Sequence, residues 1–181
     1  MLITDAQREM RTAYMGGFIG QLVAGVIWAL SAAVSLWISP KIGMIILFFV
    51  SMLLFPLTQF ILRRMGQQTT LGAGNTLGQL AAQIAFTVPI GFILVGVATL
   101  YEPNWFYPAS LIVVGAHYWP FVFLYGMKHF AILGNLMIIG GTLIALYIPT
   151  IFSLGGWYGA IILIVFAFVG RQAIMREEKP E

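Results

Sequence analysis

The side chains in the apolar part of this sequence that could do chemistry are few. They are amides, hydroxyls and one imidazole. His117 lies in Ala116-His117-Tyr118-Trp119-Pro120-Phe121, near the middle of an apolar run. Pro120 has no N–H, so on a helix the carbonyl of Ala116 loses its partner. An imidazole beside a freed carbonyl, with Tyr118 and Trp119 adjacent, is one way to build a small ligand pocket at a kink. The plainer expectation is a neutral histidine hydrogen-bonded across a bundle.

Gln79, Gln83 and Thr87 follow at four-residue steps, so on a helix they share one face. Pro89 comes next and frees the carbonyl of Ala85. Lipid cannot satisfy a glutamine amide, so the stripe is expected to point into a bundle. There it would line a water- or solute-filled cavity, or make interhelical hydrogen bonds worth about 0.6 kcal/mol on average. Gln21 and Asn135 fall at corresponding places in two other apolar runs. The candidate ligand-binding set is therefore His117, Gln79, Gln83, Thr87, Gln21 and Asn135.

The missing residue types narrow the chemistry. There is no cysteine, hence no thiolate nucleophile, disulfide or Cys-ligated metal. No Asp, Glu, Lys or Arg lies inside an apolar run, apart from Arg171 at the inner end of the last, and the nearest acid, Glu102, is expected in water at a run's end. That argues against a carboxylate proton antiporter, an intramembrane aspartyl protease and an Arg-bearing voltage sensor. His129 is the other histidine and belongs to a surface segment, so no metal site is expected. HExxH, GxSxG, kinase and Walker patterns do not occur. No catalytic residue and no cofactor are assigned, and the reading leans away from an enzyme.

These groups must be positioned by transmembrane helices. The chain has 181 residues, 60% apolar and 8% charged, with a mean hydropathy of +0.94. Soluble domains carry about 25% charge, and a surface so poor in charge suits lipid. Six runs reach the roughly 20 apolar residues a span needs: 14–38, 42–62, 77–101, 106–127, 130–148 and 152–172. Read as one helix, residues 130–170 would be about 60 Å long, twice the hydrocarbon thickness. Pro149, Ser153, Gly155 and Gly156 supply a turn there, so a tight hairpin is expected. The fold class is an all-α integral membrane protein, a single six-helix transmembrane bundle over residues 1–181. The first residues, MLITDAQREMR, do not read as a signal peptide, because their charge is mixed and the following run is too long.

Orientation follows from basic residues in short loops. With the N-terminus inside, Arg8, Arg11, Arg63, Arg64, Lys128, Arg171, Arg176 and Lys179 lie on the inner side and Lys41 alone on the outer. Eight against one requires an even number of spans. The expectation is a cytoplasmic-membrane protein with both termini in the cytoplasm and a charged tail over 173–181. This bias accounts for the net charge of +3, and nucleic acid is not an expected partner.

Gly20-Gln21-Leu22, Gly78-Gln79-Leu80 and Gly134-Asn135-Leu136 recur at spacings of 58 and 56 residues, each near the inner end of an odd-numbered span. This suggests three parallel helical hairpins, with Gln21, Gln79 and Asn135 converging. Proline turns and inner basic residues are expected of any such bundle, so only the triplets carry the idea. Residues 1–13 form a polar leader, either an interfacial helix or a continuation of the first span. Thr4 and Gln7 have capping-box spacing, and Leu2, Ile3, Ala6 and Met10 could form its apolar face. The loop 63–76 lacks the GxGxxG spacing and reads as a flexible connection capped by Asn75 or Thr76. Ser51, Thr58 and Gln59 surround Pro56, and Pro56, Pro89 and Pro120 predict three kinked spans.

Gly16, Gly20 and Ala24, then Ala29 and Ala33, then Gly155 and Gly159, are small-xxx-small faces expected to pack within the bundle. They also offer a contact for a homo-oligomer. Trp37, Tyr101, Trp105, Phe106, Tyr107, Tyr147, Trp157 and Tyr158 lie near outer span ends and read as interfacial anchors. The expected partners are the bilayer and, where the polar groups form a site, a small uncharged or weakly polar ligand. Two functions remain: small-solute transport or ligand binding through a polar-lined cavity, and a structural, accessory or regulatory role without transport.

Overall fold

A computed structural model describes residues 1–177. Lys179, and the part of the expected tail beyond residue 177, lie outside the described residues. Eight α-helices and two 3-10 turns make up the architecture, with no strand among the described residues. They are α1 (Ile3–Tyr14), α2 (Phe18–Trp37), α3 (Pro40–Ser51), α4 (Leu54–Arg64), α5 (Leu77–Tyr101), α6 (Phe106–Tyr125), α7 (His129–Tyr147) and α8 (Leu154–Glu177).

Five helical stretches, the first containing α2 and the others α5, α6, α7 and α8, are each long and apolar enough to cross a membrane, and α3 with α4 passes the same test only as a bent pair, a broken sixth span or a re-entrant loop. The pair bends by 57°. Pro56 is the cause. Its ring collides with the carbonyl four residues earlier, Met52, and Met52–Leu53 is where the helix stops and restarts. The local turns tighten there, with Met52 N donating to Phe49 O and Leu53 N to Val50 O. Pro89 and Pro120 behave differently: α5 and α6 continue through them. The 148–153 turn separates α7 from α8, so the last hairpin forms where Pro149 and Gly155 suggested.

The most extensive seams are α6 with α7, which are neighbours in the chain, and α2 with α8, which are not. Small residues account for both. A Cβ on Gly25 would meet Ile164 and the Ala160 carbonyl, and one on Gly159 would enter the Trp28 ring. The Gly115 and Gly134 backbones meet where α6 crosses α7. The bundle thus closes α2 onto α8, α8 onto α7, α7 onto α6 and α6 onto α5. The α3 side reaches α5 through Phe48 and Phe92, whose ring centres are 5.5 Å apart. α5 has the smallest buried share of the long helices.

The leader is a separate helix. Met15, Gly16 and Gly17 all take left-handed φ values, 48°, 60° and 84°, which ends α1 and redirects the chain. For Met15 that conformation is sterically unfavourable. The expected capping box does not form, because Leu2 is the N-cap and caps with no side chain. Gln7 is drawn elsewhere: its amide donates to the Phe123 carbonyl. The buried face is Ala6, Met10 and Ala13, while Leu2 and Ile3 are exposed.

Candidate functional site

Both ends of the bundle are stitched by polar contacts, and the two ends differ. The basic end gathers α1, the 63–76 loop, the α6–α7 turn and the end of α8. Four contacts bring these segments together: Gln7 with Phe123 O, Arg11 with Tyr125 O, Gly72 with Glu9, and Gly16 with Ile174. Arg8, Arg11, Arg63, Arg64, Lys128, Arg171 and Arg176 belong to these segments, and Lys41 is at the opposite end.

At the opposite end the buried polar atoms have partners. The Tyr107 hydroxyl is 2.6 Å from Ser31 Oγ and 2.8 Å from Ser35 Oγ, and Ser31 Oγ donates to the Gly43 carbonyl at 2.8 Å. Gly43 makes this possible, since a Cβ there would overlap Ser35 Oγ. Tyr107 is fully buried, so it is a core residue and not an interfacial anchor. Phe106 is buried as well, whereas Trp37, Tyr101 and Tyr147 are exposed as anchors should be. Nearby, a groove of about 650 Å³ lies between α3 and α5, lined by Pro40, Lys41, Met44, Thr99, Asn104 and Phe152 among others. None of the candidate residues lines it. Glu102 folds back to accept from Asn104 N at 3.1 Å.

At the basic end several buried polar atoms lack partners. Gln21 is 2% exposed, and neither its amide nitrogen nor its oxygen has a partner. Thr58 Oγ1, Gln59 Oε1 and His129 Nε2 are likewise buried and unpartnered. Gln21 lies four residues before Gly25 and seven before Trp28, so it shares the stripe of α2 that faces α8. It is three residues into α2, about 4–5 Å from that helix's start. Thr58 and Gln59 are in the last turns of α4, and His129 is the first residue of α7. The Met15–Gly17 turn between α1 and α2 is adjacent to Gln59 and His129. Tyr14 Oη accepts from Gln59 Nε2 at 3.4 Å. Gly170, whose Cβ would lie 3.0 Å from His129 Nε2, also faces the Gly16 carbonyl.

α1 lies across this end. Arg11 Nη1 donates to Tyr125 O at 2.7 Å and Gln7 Nε2 to Phe123 O at 2.6 Å, meeting the carbonyls that a helix C-terminus leaves open. On the other edge, Glu9 accepts from Gly72 N at 2.5 Å and from Asn75 Nδ2 at 2.8 Å. Asn75 Nδ2 also reaches Ala6 O, and its Oδ1 accepts from Leu77 N, capping α5. The Gly72 amide first, then Asn75, holds the Glu9 carboxyl below the usual carboxylate range.

The six candidate residues do not meet in one cavity. Thr87 and His117 do come together across the α5–α6 seam, with Oγ1 and Nδ1 3.4 Å apart. Thr87 also donates to Ile84 O, and the His117 ring packs edge-on against Phe121 with centres 5.0 Å apart. Gln79 and Gln83 are exposed. These two turn outward while Leu77, Ile84, Phe92 and Val95 are the buried residues of α5. Asn135 is exposed too. Of the three triplet residues, then, only Gln21 is internal. The expected threefold convergence does not form, because α7 buries Phe130, Leu133, Gly134 and Met137 in place of Asn135. His129, expected at the surface, proves to be part of the unpartnered group. A Gly-Gly pair directly after an amphipathic leader was the available sign of the Met15–Gly17 turn. Among the described residues no cluster of His, Cys, Asp or Glu could hold a metal ion.

The fold defines a multi-pass α-helical membrane protein. The chain belongs to the family described as a family of unknown function (DUF7010), with residues 3–172 matched. No curated protein and no solved structure matches it.

Proposed function

We propose that this protein binds a small, uncharged polar solute in the basic-end half of its bundle, as a step in moving that solute across the membrane. One observation carries the reading: the buried, wholly unpartnered amide of Gln21. A buried donor or acceptor without a partner costs about 1–3 kcal/mol. Such a cost is retained at functional sites, where a ligand or water completes the bonding. An amide plus the hydroxyl of Thr58 and the imidazole of His129 offers both donors and acceptors and no fixed charge, which suits a neutral solute. His117 and Thr87 form a second polar step further along the bundle. The gathering of basic residues at one end supports a cytoplasmic-membrane location with that end, and both termini, in the cytoplasm.

The test is gentle purification followed by mass spectrometry of co-purifying small molecules, repeated on Gln21→Leu and His117→Ala. A neutral solute retained by the native chain and lost from Gln21→Leu supports the reading. A well-folded native chain carrying only lipid and detergent overturns it.

A second reading, an accessory or structural membrane protein, is favoured by the outward-facing amides of Gln79, Gln83 and Asn135. Lipid offers them no hydrogen bond, and a neighbouring helix would. Single cysteines at these positions, in a chain that has no other, should then form disulfide-linked dimers or crosslink to a copurifying partner.

A further inference from the structure

We propose that the groove at the end of the bundle opposite the basic cluster binds an anionic phospholipid, with the headgroup phosphate held at Lys41. The site is separate from Gln21, which does not line it.

Three turns of the chain build the groove. The α2–α3 turn and the start of α3 supply Ser39, Pro40, Lys41 and Met44. The end of α5 and the turn after it supply Thr99, Pro103 and Asn104, and the α7–α8 turn supplies Phe152. Its volume of about 650 Å³ falls within the roughly 300–1,000 Å³ of small-ligand sites. The gap has a packing cause. α3 leans on α2, where Gly43 lets it approach Ser31 and Ser35, while α5 leans on α6. α3 and α5 meet deeper in the bundle, at the rings of Phe48 and Phe92.

The lining has two chemistries. Pro40, Met44, Pro103 and Phe152 offer an apolar wall. Ser39, Lys41 and Asn104 bring a hydroxyl, an ammonium and an amide, and none of these side chains has a hydrogen-bond or ion-pair partner among the described residues. Lys41 is the one basic residue at this end among the described residues, and no acid lines the groove. The nearest acid, Glu102, is occupied with Asn104 N at 3.1 Å. Donors around a single positive charge suit a phosphate. A free phosphate would leave the apolar wall to water, whereas a phosphate that carries hydrocarbon uses both halves. The groove also lies where such molecules are concentrated. Exposed Trp37 and Tyr101, at the ends of α2 and α5, mark the headgroup level there.

The absence of cysteine makes the test direct, because Met44→Cys puts a single thiol in the groove. Its rate of reaction with N-ethylmaleimide, a neutral reagent that lipid charge does not repel, is measured in nonionic detergent. Phosphatidylglycerol, phosphatidylcholine or inorganic phosphate is added in turn. The expected result is labelling about fivefold slower with phosphatidylglycerol than with phosphatidylcholine, the change for one lysine near an anionic lipid. Adding Lys41→Gln should erase the difference and Lys41→Arg should keep it. Tyr147→Cys, exposed at the same end but outside the groove, should react at one rate throughout. Equal rates in the two lipids overturn the proposal, as does protection that survives Lys41→Gln. Protection by inorganic phosphate alone overturns the lipid as occupant, and equal slowing at position 147 overturns the groove as the site.

Discussion

Replacing Gln21 with leucine is the sharpest perturbation available. The amide is 2% exposed and both of its polar atoms lack partners. Its neighbours on the same stripe of α2, Gly25 and Trp28, are packed against α8. Leucine is close in volume and brings no polar atom. If the amide is unpartnered in the empty protein, the substitution removes its desolvation penalty, so the solute-free chain should gain about 1–3 kcal/mol. An ordinary core polar residue whose partners were intact would show a loss of similar size instead. The assay is equilibrium unfolding in mixed micelles, followed by tryptophan fluorescence, for native and Gln21→Leu chains stripped of small molecules by dialysis. A second arm adds back the co-purifying extract, which should stabilise the native chain and not the variant. A destabilised Gln21→Leu chain, with extract acting equally on both, would refute the reasoning, since the amide would then be bonded and structural.

Three further outcomes follow from the same geometry. Tyr107→Phe removes the hydroxyl that Ser31 and Ser35 share and should cost about 1–3 kcal/mol in the same unfolding assay. Gly159→Ala would drive a methyl into the Trp28 ring at the α2–α8 seam. It should destabilise by about 1–3 kcal/mol, with quenching or shift of tryptophan emission as the local readout. Glu9 carries the pH dependence. Its folded pKa is lowered by Gly72 and Asn75, so the contribution of these two contacts is present above the ordinary carboxylate value and is lost as pH falls through the lowered one. A spin label at Arg8→Cys should become mobile in that acid window, and adding Glu9→Gln should leave it mobile at every pH.

How much was legible in the sequence depends on the kind of force involved. A membrane-embedded bundle of five or six apolar spans and the grouping of basic residues follow from composition and hydropathy, because a helix must satisfy its own backbone in the bilayer wherever its neighbours are. Pro56 and the 148–153 turn could be placed for the same reason: a missing N–H acts locally. Asn75 as the cap of α5 was within reach, being two residues from the amide it binds.

What only the tertiary structure decided is which face of each helix turns inward. Polarity alone points Gln79, Gln83 and Asn135 inward. Neighbouring helices instead bury Ile84 and Phe92 on α5, and Leu133 and Met137 on α7. In lipid both faces of a helix are apolar, so periodicity gives no direction, and close packing through Gly115, Gly134, Gly25 and Gly159 sets it instead. Tyr107 shows the converse. Its position near a span end suited an anchor, and only its approach to Ser31 and Ser35, 76 and 72 residues away, made it core. Gln21 needed both. The sequence marked it as a polar residue inside an apolar run, and the fold alone left it buried without a partner on the face of α2 that turns to α8.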